Sequence, residues 1–464
     1  MNIKTMDNDL LSIQEARILA ENASEAQKIL ATFPQEKIDE IVARMAEAAS
    51  LHANELAELS ADETGYGNSV DKAIKNRFVT EYLPKKLKDM KCVGLIDADP
   101  ENGIMEIGVP VGVVVSICPA TNPVSTAIYT SLIGIKSGNA VIVSPHPASA
   151  KSVGKVMNVM IRAAEGYGLP EGALAYLHTA ASAGTRELIK NSCTSMIIDT
   201  GVPKLLKDSY YSGKPVIYGG RGNGPAFVEK TADVKAAAEA IVASKSFDYG
   251  VVSASEQSVV VDRDVADAMR DAMKAAGAYF MTDEEAEKLG SVLYFPNGGA
   301  NKVLIGRPAS ELALTAGFKV PSGTRVLVSE RRYVAANNPY ERELLCPVLA
   351  FYIEDDWMNA CEKCIELLLT DKKSHTLVIH SNDPEVISHF AMKKPVSRVL
   401  VNTSSVFGSM GATTNLFPAM TLGSGAAGKG ITSDNVSPMN LIYKRKVGYG
   451  VRTLESLGLG VPKK

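Results

Sequence analysis

Apolar positions recur at helical spacing over about the first 90 residues, and the period then changes. After Ser12, the expected N-cap, Ala16, Leu19, Ala20 and Ala23 fall on one face; across 35–59 the set Ile38, Ile41, Val42, Met45, Ala46 and Ala49 repeats that spacing. Helices of this kind need a sheet to pack on. Residues 93–108 read as strand, polar turn and strand, an exposed hairpin around 97–103.

From residue 109 strands alternate with helices. The run 111–118 predicts a buried strand, 126–136 a helix, 140–144 a strand, 150–167 a helix and 195–199 a further strand leading to a helix over 205–210. This alternation predicts an α/β fold with a parallel sheet and ligands at the strand carboxyl ends. Residues 399–403 read as the last core strand. A glycine-rich loop over 408–430 and an exposed strand over 439–444 follow.

At 464 residues, 46% hydrophobic and 22% charged, the chain can build two or three domains with sizeable cores. Its net charge of −3 argues against nucleic acid as a partner. No apolar run near the roughly 20 residues of a membrane span and no signal peptide is evident, so no membrane partner is expected. The scattered cysteines Cys92, Cys118, Cys193, Cys346, Cys361 and Cys364 suit a reducing, cytoplasmic setting. Cys361 and Cys364 have metal or redox spacing, but 355–369 reads as an amphipathic helix and no second Cys/His pair follows. No metal site is expected.

Two loops close strands where a ligand would bind: Pro119-Ala120-Thr121-Asn122-Pro123 and Ser144-Pro145-His146-Pro147. A third, Thr200-Gly201, precedes a helix whose free N–H groups suit a phosphate. No Gly-x-Gly-x-x-Gly follows a strand, which disfavours an ordinary Rossmann dehydrogenase.

The segment 247–258 reads Phe-Asp-Tyr-Gly-Val-Val-Ser-Ala-Ser-Glu-Gln-Ser. It resembles the nucleophile segment of the CoA-acylating aldehyde dehydrogenases, in which Cys-Ala-Ser-Glu-Gln follows Phe-Asp-x-Gly. Ser253 stands where that family has its cysteine. The resemblance covers essentially the whole chain, including the aldehyde dehydrogenase half of bifunctional aldehyde/alcohol dehydrogenases. It implies the aldehyde dehydrogenase fold: a modified Rossmann cofactor domain, an α/β catalytic domain and a β-hairpin oligomerisation flap. The corresponding boundaries are 1–92 with 109–218, then 219–410, then 93–108 with 411–464.

The same resemblance assigns roles. Residue 253 is the nucleophile, Asn122 the oxyanion donor, and His375, in Ser374-His375-Thr376, the histidine near the thioester; His380 is the weaker choice. NAD and CoA are expected to share one cleft, touching Pro119, Thr121, Ser144, Pro145, His146, Pro147, Thr200, Gly201, Gly219, Gly220, Arg221, Gly222, Glu343 and Pro347. In that set Glu343, in Glu-Leu-Leu-Cys-Pro-Val, holds the nicotinamide ribose. NAD is preferred to NADP by resemblance alone.

Hydrolytic relatives carry a water-activating glutamate where this chain has Tyr218-Gly219-Gly220-Arg221-Gly222-Asn223, and they have Lys-Pro where it has Ser144-Pro145. Both departures point to CoA as acyl acceptor. Tyr249 and Ser424 also depart from common family residues. A hydroxyl at 253 lacks a thiol's nucleophilicity, so the chain is expected to be inactive or strongly impaired, with an engineered exchange favoured over a natural loss. Acetaldehyde or propionaldehyde leads as substrate. Sulfoacetaldehyde and succinate semialdehyde are alternatives, with Arg221 and Arg342 available to an anionic group, and a non-catalytic NAD/CoA-binding homologue is a third reading. A homodimer or dimer of dimers is expected from the flap. The absence of a long amphipathic stretch before Leu10 argues weakly against a microcompartment address, though that association stays open.

Overall fold

In the computed structural model, which describes residues 7–295, 299–335, 338–371 and 375–460, fifteen strands among those residues fall into three sheets. The chain begins with helices Asn8–Leu30, Gln35–Ser50 and Ala53–Thr64. The first starts earlier than its apolar spacing suggests. Asp7 caps it, and Ser12 lies inside it, buried, with its hydroxyl donating to the Thr179 carbonyl. The repeat expected over 35–59 is likewise broken at Leu51 and His52, which divide it between two helices.

The hairpin β1 (Gly94–Asp99) and β2 (Ile104–Pro110) stands off the body of the molecule. Next come β3 (Val113–Ile117), β4 (Ala140–Ser144), β5 (Leu174–Tyr176), β6 (Thr194–Asp199) and β7 (Val216–Tyr218). They form a parallel sheet in the order β5, β4, β3, β6, β7. Every residue of β3 and β4 is buried, as their near-continuous Val/Ile runs require of strands covered on both faces. Helix Pro123–Lys136, buried along its whole length, covers one of those faces.

A seven-stranded sheet follows, built from β8 (Pro225–Val228), β9 (Ser258–Asp262), β10 (Ala278–Phe280), β11 (Val326–Glu330), β12 (Val348–Glu354), β13 (Thr376–His380) and β14 (Arg398–Val401). Its order is β10, β11, β12, β9, β8, β13, β14, and its described pairings are parallel. Helices Val234–Ser246 and Ala266–Ala275 pack on one face. Asp283–Leu293, Trp357–Asp371 and Pro384–Lys393 pack on the other.

The chain then returns to the hairpin, where β15 (Ile442–Gly448) pairs antiparallel with β2. The expected strand over 439–444 is shifted, because Pro438–Leu441 forms a single 3-10 turn. Leu441 and Ile442 are buried by that shift, and Tyr443 is left exposed. No helix among the described residues is long and apolar enough to cross a membrane, and no group of three or more His, Cys, Asp or Glu could hold a metal.

Candidate active site

Residue 253 is delivered by a tightly reversed segment. Helix Val234–Ser246 ends at Phe247, after which Asp248 (φ 49°), Tyr249 (φ 52°) and Gly250 (φ 74°) take left-handed conformations. Asp248 and Tyr249 adopt this hand at a cost of roughly 1–3 kcal/mol each. Asp248 is held there by an acceptor bond from the Asn68 N–H and a donor bond to Asp71 Oδ2, both 2.7 Å. Val251 and Val252 are then buried, and Ser253 opens onto a cleft of about 310 Å³.

Gly222 supports the same segment from the other side. A Cβ there would stand 1.5 Å from the Ser253 carbonyl oxygen. Gly222→Ala should therefore displace residue 253 and lower stability by about 1–3 kcal/mol. Thermal melting reads the loss, and an unchanged melting temperature would show that the loop yields freely.

Behind the cleft lies a buried charge cluster on helix Ser69–Arg77 that sequence reading missed. Lys75 Nζ donates to Asp248 and, at 2.5 Å, to Asn122 Oδ1; Lys72 Nζ donates to Asp248 Oδ2 at 3.0 Å and to the Thr121 carbonyl at 3.1 Å. Burial, with Lys75 beside it, lowers Lys72 to about 8. Burial would raise Asp248, but the charges of Lys75 and Lys72 outweigh it and hold the carboxyl below its ordinary value. A lysine ammonium only donates, so the oxygen end of the Asn122 amide must face Lys75. The nitrogen end is thereby turned the other way. Nδ2 donates one of its two hydrogens to Thr121 Oγ1 at 3.1 Å, and Asn122 lines the cleft.

On the far side, Ser253 Oγ lies 3.4 Å from His375 Nε2, and His375 Nδ1 lies 2.7 Å from Thr376 Oγ1. Burial, then the positive charge of Arg398, drives His375 down to about 3. The imidazole is neutral at ordinary pH and a weak base. Ser374 lies outside the described residues. His380 ends β13 away from the cleft, also buried and lowered to about 4. Two further cysteines lie near, but burial pushes the thiols of Cys118 and Cys346 up to about 12. Neither supplies a thiolate.

The cleft opens at the carboxyl ends of β3, β6 and β7. Pro119, Thr121, Asn122, His146, Thr200, Gly201, Gly219, Gly220, Arg221, Ser253 and Glu343 all line it. The other predicted residues stand outside the lining. Ser144 shares a hydrogen bond with Thr185 Oγ1, Pro145 is buried, Pro147 opens a 3-10 turn, Gly222 lies under Ser253, His375 lies behind it, and the Pro347 carbonyl accepts the Leu327 N–H. Glu343 Oε1 accepts the Gly222 N–H at 2.8 Å, with Oε2 3.9 Å from Arg221.

One rim of the cleft is built for an anion. Gly201 (φ 76°) lets the backbone turn before helix Pro203–Tyr211, and Lys204, Lys302 and Arg221 bring positive charge to the same rim. Lys204 and Lys302 had no motif to reveal them. An adjoining space of about 620 Å³ shares those cations and adds Arg342, whose guanidinium lies 5.1 Å over the Tyr294 ring.

A parallel sheet ending in an anion-ready cleft, which Ser253 reaches from the side of a second parallel sheet, defines a dehydrogenase-like α/β protein. The aldehyde dehydrogenase family model matches residues 9–292, and the chain belongs to the aldehyde dehydrogenase family. It is 36% identical over 441 residues to the bifunctional aldehyde-alcohol dehydrogenase of Escherichia coli (strain K12), covering 94% of this chain and 49% of that protein. The chain thus spans about half the length of the first curated relatives it matches. It is also 31% identical to a succinate-semialdehyde dehydrogenase (acetylating) of Clostridium kluyveri, over 96% of this chain and 97% of the relative. Among solved structures, an acetylating aldehyde dehydrogenase from Geobacillus thermoglucosidasius superposes with a TM-score of 0.94 at 41% identity, covering 99% of this chain and all of that one.

Proposed function

We propose that this chain is built as a CoA-acylating aldehyde dehydrogenase, converting a short-chain aldehyde, CoA and NAD into acyl-CoA and NADH through residue 253. The observation that carries this reading is the lack of a free general base. Glu343 is the carboxylate among the described lining residues, and its Oε1 is taken up by the Gly222 N–H. Water therefore has no activator beside residue 253, whereas a thiol needs far less help.

NAD, when bound, would accept the hydride. The chain's own residues supply the rest. With a cysteine at 253, the sulfur adds to the aldehyde carbon and the developing oxyanion accepts a hydrogen bond from the second hydrogen of Asn122 Nδ2. Such a donor is worth about 3–4 kcal/mol in the transition state. Loss of hydride leaves an acyl group on residue 253, and the CoA thiol displaces it as a thioester. His375, neutral and 3.4 Å from the residue 253 side chain, is placed to hydrogen-bond that side chain, while the thiol proton leaves to solvent.

The cleft lining includes the apolar side chains of Val251, Val252, Met410, Met420 and Leu422, which favours acetaldehyde or propionaldehyde. The cations Lys204, Arg221 and Lys302 support a charged aldehyde, such as succinate semialdehyde or sulfoacetaldehyde, as a second reading. A tenfold or greater kcat/KM preference for propionaldehyde over succinate semialdehyde would decide for the first. Cytoplasmic placement and assembly through the flap belong to the same proposal. Tyr443, Tyr449, Leu454, Leu457 and Leu459 are exposed along that segment and suit burial against another copy.

The acyl acceptor is tested in the Ser253→Cys form. Aldehyde and NAD without CoA should give a burst of about one NADH per site and then near silence, with turnover restored by CoA. Sustained formation of free carboxylate without CoA would return the protein to the hydrolytic branch of the family.

A further inference from the structure

Cys361 lies on helix Trp357–Asp371, and Lys394 caps helix Pro384–Lys393. Their side chains meet below the seven-stranded sheet, remote from the cleft. Lys394 Nζ is 2.6 Å from Cys361 Sγ and 3.2 Å from the Cys361 carbonyl oxygen. Both residues are more than nine-tenths buried, at 6% and 8% exposed. The ammonium also lies 3.9 Å over the Phe390 ring, with no carboxylate among its described partners.

The Nζ to Sγ distance is the informative one. An N–H···O hydrogen bond spans about 2.9 Å, and sulfur is a larger and weaker acceptor than oxygen. At 2.6 Å the pair is too close for an N–H···S hydrogen bond. The separation is that of two atoms bonded to one small atom between them.

We propose that Cys361 and Lys394 form a redox-reversible covalent bridge in which a single oxygen atom joins Nζ to Sγ, with dioxygen as the oxidant. The balance is Lys-NH2 + Cys-SH + O2 → Lys-NH–O–S-Cys + H2O, after the lysine has given its extra proton to solvent. One N–H and the S–H bond break, and one N–O and one O–S bond form. The second oxygen atom leaves as water with the two hydrogens. Nitrogen and sulfur each give up two electrons, and dioxygen takes four. Two equivalents of a dithiol, each giving two electrons and two protons as it closes to its own disulfide, return the side chains to amine and thiol and release the bridging oxygen as water.

The bridge would join residues 33 apart in sequence and tie two neighbouring crossover helices together. One of them also carries the Leu367 carbonyl, which accepts the Asn223 Nδ2 hydrogen at 3.1 Å and so supports the loop beneath residue 253. Closing a chain segment of that length restricts the unfolded state, so the bridged protein should melt several degrees above the reduced one. Cys364 offers the competing product, a disulfide with Cys361, which contains no extra oxygen.

The experiment is peptide mass spectrometry on the full chain, prepared in air and in the absence of dioxygen, digested without thiols. In the aerobic sample, the Cys361 and Lys394 peptides should appear joined, heavier than their sum by one oxygen and lighter by two hydrogens. Excess dithiothreitol should free them and lower the melting temperature of the same protein. The joined species should be absent from the anaerobic sample and from Cys361→Ser and Lys394→Met, and kept in Cys364→Ala. Recovery of Cys361 from the aerobic protein as a free thiol, an unlinked sulfur oxide or a disulfide with Cys364 would overturn the proposal. The thiol and dioxygen comparison uses the unaltered chain, so it holds even where a variant fails to fold.

Discussion

Replacing Ser253 by cysteine raises aldehyde-dependent NADH formation by at least about a thousandfold, since the nucleophile carries the covalent step. A thiol with a reference pKa near 8.5 is partly ionised at neutral pH, but a serine hydroxyl attacks only when a competent base removes its proton. His375 is a poor base for that task. It is buried, lowered to about 3, and backed by the Thr376 hydroxyl instead of a carboxylate. Cys118 and Cys346 cannot substitute, because burial keeps both as thiols. Steady-state assays of the two forms with acetaldehyde, NAD and CoA check this. Comparable rates would remove residue 253 from the covalent step.

The second large effect is expected at Lys75, through Asn122. In the Ser253→Cys background, Lys75→Met should lower kcat about a hundredfold while NAD affinity changes little, as for loss of one oxyanion donor. The amide of Asn122 is oriented because Lys75 occupies its oxygen end. Without that ammonium the amide is free to turn its nitrogen away from the cleft. Lys75→Met also breaks a buried ion pair, which typically costs about 3–5 kcal/mol. Asp248 keeps Lys72 and the Asn68 N–H, so the lower end of that range is expected. A double-mutant cycle separates orientation from general damage. If Lys75 acts through Asn122, Lys75→Met and Asn122→Ala together should cost little more kcat than Asn122→Ala alone. Additive losses, or a matching fall in NAD binding, would assign Lys75 a purely structural role.

The alternation of strand and helix was legible because each element buries a face whose period is written locally. The runs that form β3 and β4 are near-continuous apolar stretches, each with one serine, and strands covered on both faces admit little else. The segment 247–258 was legible for a different reason, its residue order being specific enough to mark residue 253 without knowledge of its neighbours. Element ends were less so. By sequence Ser12 reads as a cap because capping residues and short buried polar residues are the same types, and only the contact with Thr179 distinguishes them.

Tertiary structure alone decided which distant groups meet. Lys72 and Lys75 read as ordinary helical lysines until the fold sets them against Asp248, which is 173 residues beyond Lys75. Gly222 had family likeness behind it, but its need for a missing side chain comes from the Ser253 carbonyl pressing on its Cα. The state of His375 has the same origin. Its titration depends on burial and on Arg398, brought beside it by the pairing of β13 with β14. Periodicity along a chain records which face of an element avoids water. The strength of a charge or the aim of an amide depends on what stands a few ångströms away, and that is set by packing between segments remote in sequence.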